Sequence, residues 1–233
     1  MWVRTEHSGQ MLWQVADWLA LPWLKHGFST SAAGNLLETE KREAFGSAVG
    51  MPPPWTTVRQ VHGSEVVWVN ERWLTEAVHT TADGMVTRTS GVVLAEFFAD
   101  CVPLLFVDPK TRTVAVSHAG WRGTKAEIGL KTVAAMVRAG CRVEDIQGAV
   151  GPSIGPCCYE VSHELTAYFP GSVFSKVGGR LHLDLWSANA KQLREAGIRQ
   201  VSTAERCTMC SGEFFSYRRD QTAFRMAALI TVD

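Results

Sequence analysis

The chain has 233 residues, of which 46% are hydrophobic and 20% are charged, an ordinary composition for a globular protein. Its 23 lysines and arginines balance its 23 aspartates and glutamates, so no excess of positive charge points to nucleic acid. Segment 11–24 is apolar but lacks the preceding cationic region of a secretory signal, and no run of about 18 apolar residues predicts a membrane span. We therefore expect a cytoplasmic protein with a small-molecule ligand and reduced cysteines.

Short strands and helices alternate along the sequence, which favours one α+β domain over residues 1–233. In the first part, the patterns predict strands and a short helix in 1–27, a helix within 34–50, and strands at 57–69, 83–88 and 92–95. In the second part, they predict helices at 124–139, 161–169 and 185–196, strands at 146–150 and 226–232, and a loop at 151–160.

The middle of the chain has the pattern of an antiparallel hairpin. Two runs rich in β-branched residues, 102–107 and 113–117, flank the turn-forming sequence Asp108-Pro109-Lys110. Because Pro103 has no N–H for a ladder, we expect the first run to be an edge strand or to carry a bulge.

The hairpin brings a thiol and an imidazole together at the rim of the sheet. Pairing about the turn places Cys101 within one residue of the position opposite His118, where facing side chains are about 5 Å apart. With His62 they form a possible metal set, since catalytic zinc typically takes three protein ligands and leaves one position open. In a rival hypothesis Cys101 is a nucleophile and His118 its base, oriented by Asp100 or Asp83. In a third alternative, each histidine is a hydrogen-bonded structural residue and Cys101 is a small residue of the core.

The other cysteines give a weaker signal. Cys207 and Cys210 have the two-residue gap of a metal or redox motif, and Cys157 and Cys158 could complete a four-cysteine site. A single C-x-x-C is weak, so ordinary buried thiols are the favoured interpretation.

Several arginines lie in breaker-rich segments or at strand ends, where a guanidinium can bind phosphate or carboxylate through two hydrogen bonds. They are Arg59, Arg122, Arg218, Arg219 and Arg225. We favour Arg59 and Arg122, because each lies within four residues of a possible metal ligand.

Six ordered motifs spread over about residues 57–225 carry a family resemblance. They are Gln60-Val-His-Gly63, Ala82-Asp83 with Met85-Val-Thr-Arg88, Ala99-Asp-Cys-Val-Pro103, His118-Ala-Gly-Trp-Arg-Gly123, Gly151 to Glu160, and Phe215-Ser-Tyr-Arg-Arg-Asp220. In this order they resemble the YfiH-type proteins, first labelled multicopper polyphenol oxidoreductases or laccases and later described as purine nucleoside phosphorylases with adenosine deaminase activity.

The resemblance implies a four-layer α/β/β/α sandwich and a single metal, usually zinc, held by the residues matching His62, Cys101 and His118. It also implies phosphorolysis of adenosine, inosine and methylthioadenosine, and deamination of adenosine. It further implies an activity found in some bacteria, the removal of wrongly incorporated serine from a peptidoglycan precursor. The partners would then be a purine nucleoside and phosphate, without nucleic acid or membrane.

For these reactions we expect acidic residues near the metal to move protons and polar residues beside it to bind substrate. The expected catalytic residues are Asp83, Asp100 and Glu65, and the expected substrate-binding residues are Arg59, Gln60 and Arg122. The zinc deaminase pattern of H-x-E with P-C-x-x-C is missing, so deamination here requires a differently built site.

Two other functions are weighed against this one. Copper-dependent phenol oxidation would need a multinuclear cluster, yet the chain has one His/Cys/His set and no paired H-x-H motif. A metal-dependent binding or storage module would need a closed set of four ligands.

The chain also departs from the family pattern at Phe28-Ser-Thr-Ser-Ala-Ala-Gly34 and at Thr222-Ala-Phe-Arg225, which affects the expected ribose or phosphate pocket more than the metal.

Overall fold

A computed structural model describes residues 1–74 and 80–233. In this part of the chain the strands are, in order, β1 Trp2–His7, β2 Gln10–Val15, β3 Leu24–Ser29, β4 Trp55–Thr56, β5 Val66–Trp68, β6 Gly84–Thr87, β7 Val93–Phe98, β8 Val102–Asp108, β9 Thr113–Ala119, β10 Gln147–Val150, β11 Phe174–Val177, β12 Arg180–Leu183, β13 Gln200–Thr203 and β14 Met226–Val232. The helices are α1 Thr39–Ala48, α2 Trp121–Lys125, α3 Ile128–Arg138, α4 Leu185–Glu195 and α5 Tyr217–Asp220.

The strands form two mixed sheets and a small hairpin. The first sheet has the order β1-β2-β3-β14-β7-β4, the second has the order β13-β10-β8-β9-β6-β5, and β11 pairs with β12. Most neighbours are antiparallel, whereas β4 runs parallel to β7, β5 to β6 and β10 to β13.

Three buried clusters lie between four layers. In β8, Leu105 faces the other sheet, whereas Phe106 faces the helical layer that contains Met136 of α3. On the far side, Phe45 of α1 packs against the first sheet. Because β8 is covered on both faces, its sequence is a continuous apolar run without alternation. The four-layer α/β/β/α sandwich expected from the resemblance is confirmed.

The central hairpin is confirmed, with one difference in register. Strands β8 and β9 pair continuously, and Pro103 is the residue opposite His118, so Cys101 lies two residues before that position instead of one. The expected edge strand or bulge is wrong, because β8 lies between β10 and β9 without a break in register. Pro103 is tolerated because the ladder with β10 ends at Leu104, and beyond it Gly151 N–H donates to the Pro103 carbonyl over 2.9 Å.

Several other predicted elements are confirmed. They are the strands and short helix of 1–27, the helix within 34–50, the strands at 83–88, 92–95, 146–150 and 226–232, the loop at 151–160 and the helix at 185–196.

Three predicted elements differ from the structure. The helix expected at 124–139 is two helices, α2 and α3, because Glu127 between them has a left-handed φ of 59°. The helix expected at 161–169 is only a 3₁₀ turn at His163–Ala167. The strand expected at 57–69 is mostly loop, and only Val66–Trp68 belongs to a sheet. The reason is that backbone N–H groups of residues 61–63 bond to the Asp83 side chain. No described helix is long and apolar enough to cross a membrane.

The layer between the second sheet and its helices makes a quantitative prediction. Phe106→Ala should lower the free energy of unfolding by about 3–5 kcal/mol, because Phe106 is fully buried and the change leaves a cavity. Val137→Ala on the exposed side of α3 is the control and should change stability by no more than about 0.5 kcal/mol. Urea denaturation measures both, and equal effects would contradict the assignment of this layer.

Candidate metal and substrate site

The site is built around the Asp83 carboxylate, which lies directly before β6 and is fully buried. Its Oδ1 accepts the N–H of His62 over 2.8 Å, and its Oδ2 accepts the N–H of Gly63 over 2.7 Å. Val61 N–H lies 3.2 Å from both oxygens. These bonds hold His62 at a left-handed φ of 61°, which residues other than glycine seldom adopt. Residues 61–63 therefore form a loop around a buried charge, although their sequence has the pattern of a strand.

The same carboxylate orients His118 of β9. His118 Nδ1 is 2.9 Å from Asp83 Oδ1, which leaves Nε2 as the nitrogen available to a ligand. Burial alone lowers the pKa of His118, but its hydrogen bonds to Asp83 and Cys101 raise the pKa to about 10. Burial alone raises the pKa of Asp83, but hydrogen bonds from His118 and the backbone lower it, so the carboxylate is ionised.

Cys101 lies directly before β8, next to His62 and His118. Burial raises the pKa of its thiol, but hydrogen bonds with His118 and His62 lower the pKa to about 6. Asp100 before it has a left-handed φ of 82°, so the chain bends sharply at this point. Gly120 faces the thiol so closely that a Cβ there would lie 2.9 Å from Cys101 Sγ. A side chain at this position would displace the thiol.

These residues have the donor chemistry and geometry of a metal site. The ligand atoms of His62, Cys101 and His118 all lie within 4.8 Å of one another, and the two imidazole centroids are 4.7 Å apart. The thiol has a lowered pKa, and one imidazole is oriented by a carboxylate, as is common for metal-bound histidine. A metal ion therefore fits the group. The Cys101–His118–Asp83 chain by itself also has the order of a nucleophilic triad.

The group opens into a pocket of about 660 Å³, which is in the usual range for small-molecule sites. The lining residues are Leu37, Gln60, His62, Phe97, Ala99, Asp100, Cys101, His118, Ile154, Tyr159, Tyr217, Arg218 and Arg225. The pocket thus combines the possible metal ligands with aromatic rings and two arginines.

Two of the other predicted site residues line this pocket. Asp100 is buried, and its carboxylate accepts hydrogen bonds from Thr208 Oγ1 over 2.6 Å, Ser216 Oγ over 3.0 Å and the N–H of Arg218 over 2.6 Å. Gln60 exchanges two hydrogen bonds with the backbone of Phe97, at 3.0 and 2.9 Å. Both residues tie pocket-forming segments together.

Four predicted residues lie outside the pocket lining, one of them the buried Asp83. Glu65, Arg59 and Arg122 are exposed. The Arg122 guanidinium instead stacks on the ring of Trp121 at 4.5 Å. Their nearness to the ligands in sequence therefore does not place them in the pocket lining.

Three residues of the pocket lining were not among those favoured from the sequence: Tyr159, Arg218 and Arg225. Tyr159 and Arg218 lie within the motifs 151–160 and 215–220, and both arginines belong to the wider set of five named from the sequence. Arg225 N–H donates to Asn35 Oδ1 over 3.0 Å. Arg225, in the second departure from the family pattern, thus contacts the residue that directly follows the first departure.

Glu96 of β7 is a further acidic residue, and no motif in the sequence pointed to it. It is fully buried, and within the described part of the chain neither carboxylate oxygen has a hydrogen-bond partner. Burial raises its pKa well above the ordinary range, with Asp83 raising it further and His118 opposing. Burial therefore favours the protonated form of the Glu96 carboxyl group.

Comparison with known proteins agrees with this architecture. The family described as "Multi-copper polyphenol oxidoreductase laccase" matches residues 36–233. The chain is 40% identical over 198 residues to a purine nucleoside phosphorylase of Deinococcus radiodurans, covering 82% of this chain and 76% of the relative. It is 38% identical over 178 residues to adenosine deaminase RL5 of an unknown prokaryotic organism, covering 69% and 68% of the two chains. The crystal structure of YlmD from Geobacillus stearothermophilus superposes with a TM-score of 0.82 at 32% identity, covering 91% and 92%.

The fold and the match together define a laccase-like α/β/β/α protein. The chain belongs to the multi-copper polyphenol oxidoreductase laccase family, in which a 33% identical relative from Escherichia coli, matched over 82% of this chain and 79% of its own, is called purine nucleoside phosphorylase YfiH. The resemblance drawn from the six motifs is confirmed.

The lowered pKa of Cys101 can be measured directly. In metal-free protein, the rate at which iodoacetamide alkylates Cys101 should increase with pH, with a midpoint at about pH 6, because the thiolate is the reacting form. His62→Ala removes one stabilising hydrogen bond and should move the midpoint upward. Cys141 is the internal control, since burial raises its pKa and it should react slowly throughout. Site-resolved mass spectrometry measures both residues, and a Cys101 midpoint above 8 would contradict this electrostatic description.

Proposed function

We propose that this protein is a zinc-dependent purine nucleoside phosphorylase that also phosphorolyses methylthioadenosine and deaminates adenosine. The carrying observation is the convergence of His62, Cys101 and His118 on a pocket with aromatic and cationic walls. The names of the relatives support the same reaction class.

Zinc suits the donor set, because one thiolate and two imidazoles are ligands that zinc accepts while keeping a position open. When bound, the ion would supply Lewis acidity toward a substrate or water oxygen. Asp83 would keep His118 Nε2 pointed at it, and its bonds to the 61–63 loop would keep His62 in place.

The walls of the pocket suit a nucleoside and an anion. Aromatic faces at Phe97, Tyr159 and Tyr217 can stack on a purine, as aromatic rings do on flat ligands. Arg218 lies over the Tyr159 ring at 5.2 Å and lines the same pocket, so it can bring a cation next to a stacked base. We assign phosphate binding to Arg218 and Arg225 instead of Arg59 and Arg122.

In phosphorolysis, a phosphate oxygen forms a bond to ribose C1′ while the bond from C1′ to the purine nitrogen breaks. The bonding electron pair leaves with the base, which then takes up a proton. In deamination, water adds to C6 of adenosine and ammonia leaves. Both reactions therefore need a proton-carrying group near the base.

Among the three acidic residues expected from the sequence, Asp100 is the candidate that lines the pocket. Asp83 is saturated by four donors and acts as a positioning residue for both imidazoles. Glu65 is exposed outside the pocket lining, and we give it no catalytic role.

Copper-dependent phenol oxidation is a second candidate, favoured by the family description. A multinuclear copper cluster requires several histidines, whereas the two possible metal groups in the described part of the chain are this His/Cys/His set and a group of four cysteines. The structure therefore supports a mononuclear site better. Editing of a peptidoglycan precursor would use the same pocket and is separated from nucleoside chemistry by a substrate screen with and without phosphate.

A metal ligand and a nucleophile respond differently to substitution. Cys101→Ser and His62→Ala should each remove one zinc ion per chain and reduce inosine phosphorolysis at least about 100-fold, because both supply ligands. Elemental analysis and a phosphorolysis assay on the same preparations measure the two effects. A Cys101→Ser protein that keeps its zinc but loses turnover would favour the Cys–His hydrolase alternative. A His62→Ala protein with wild-type turnover would rule out the metal mechanism.

The assignment of the phosphate site gives a matched pair of variants. Arg218→Gln should raise KM for phosphate about tenfold or more, since a hydrogen bond to a charged group contributes about 1.5–3 kcal/mol. Arg122→Gln, which alters an exposed guanidinium outside the pocket lining, should leave KM for phosphate within about twofold. Initial rates over a range of phosphate concentrations measure both. A larger increase in KM for Arg122→Gln than for Arg218→Gln would instead assign phosphate binding to Arg122, which the sequence analysis favoured.

A further inference from the structure

A second group of possible metal ligands lies where two loops pair with each other. The loops are residues 151–160 and 204–216, and they pair locally through Ser153 and Cys207. Ser153 N–H donates to the Arg206 carbonyl over 3.1 Å, and Thr208 N–H donates to the Ser153 carbonyl over 3.0 Å. This pairing brings Cys157 and Cys158 of one loop to Cys207 and Cys210 of the other.

The spacing of the four sulfurs fits one tetrahedral ion. All four Sγ atoms lie within 4.8 Å of one another, and those of Cys157 and Cys210 are 3.9 Å apart. Zinc–sulfur bonds of about 2.3 Å place the corners of a tetrahedron about 3.8 Å apart. A disulfide would need about 2.0 Å, and all six cysteines have free thiols. An iron–sulfur cluster would distribute four cysteines over two or more irons and hold the sulfurs on different irons farther apart.

The surroundings of the thiols do not fit ordinary buried cysteines. Cys157 and Cys210 are exposed, so hydrophobic packing does not explain their position. Cys207 is buried, and its sulfur accepts the N–H of Gly155 over 3.3 Å. A metal-bound thiolate commonly accepts such hydrogen bonds, which hold the ligand in place.

We propose that Cys157, Cys158, Cys207 and Cys210 bind one structural zinc ion. The site is separate from the pocket group of His62, Cys101 and His118, and its four protein ligands leave no open position for substrate. On binding, each thiol forms a sulfur–zinc bond and releases its proton to solvent. The proposal does not depend on the function proposed above.

The zinc would fix the part of the pocket wall that the two loops form. Thr208, inside the C-x-x-C turn, donates to Asp100 Oδ1 over 2.6 Å, and Tyr159 follows Cys158 directly and lines the pocket. Arg219 binds the carbonyls of Thr208, Met209 and Ser211 from the other side of the turn. Loss of the ion would therefore loosen Tyr159 and Asp100 together.

The test isolates the second ion by removing the first site. The His62→Ala/Cys101→Ser double variant should still contain one zinc per chain by elemental analysis. X-ray absorption at the zinc edge should show four sulfurs at about 2.3 Å and no nitrogen at about 2.0 Å. The wild-type protein should contain two zinc ions, and Cys157→Ser/Cys210→Ser should contain one. Cys141→Ser, which changes a buried cysteine outside the cluster, is the control and should keep two.

The readouts separate this proposal from the proposed function. A folded His62→Ala/Cys101→Ser protein without zinc, or with iron in its place, would overturn the structural zinc site whatever the enzyme activity. Thiol titration in denaturant with chelator and without reductant should find all six cysteines free in the wild-type chain. Two missing thiols traced by mass spectrometry to Cys157 and Cys210 would show a disulfide and would also overturn it.

Discussion

The arrangement of the pocket depends on one buried ion, the Asp83 carboxylate. Removing a carboxylate from water costs several kcal/mol unless its oxygens are hydrogen-bonded, so the donors around it are required for folding. They are the N–H groups of residues 61–63 and the His118 ring. Because one charge fixes both imidazoles, the relative position of His62 and His118 is set by the same interaction that makes burial of Asp83 tolerable.

A second buried carboxylate plays the corresponding part for the pocket wall. Asp100 accepts hydrogen bonds from Thr208, Ser216 and the backbone of Arg218, which come from a segment more than 100 residues further along the chain. Cys101 follows Asp100 directly, so the thiol and the wall share one anchor. The proposed four-cysteine zinc site would hold this same segment from its outer side, next to Thr208.

The site also explains how one fold can be labelled both oxidase and nucleoside-processing enzyme. A thiolate with two imidazoles can accept copper as well as zinc, since ligand type alone discriminates weakly between these ions. What the pocket adds is a set of aromatic faces and the guanidiniums of Arg218 and Arg225. The aromatic faces suit a purine or a phenol alike, whereas the two guanidiniums suit an anion such as phosphate, which phenol oxidation does not need.

The sequence by itself determined the elements whose signals are local. The apolar runs with a turn gave β8 and β9, the 3.6-residue period gave α4, and the ordered motifs gave the family and the three residues that meet at the site. Only the tertiary structure decided the rest, because it depends on contacts between distant segments. Residues 61–63 are a loop because their N–H groups bond to Asp83, and β8 is interior because β10 pairs with it from 147 onward. The position of Arg218 in the pocket lining and of Arg122 outside it follows from chain packing that no spacing in the sequence encodes. The spacing of the cysteines suggested a four-cysteine group, but only the packing of two loops brings the four sulfurs together.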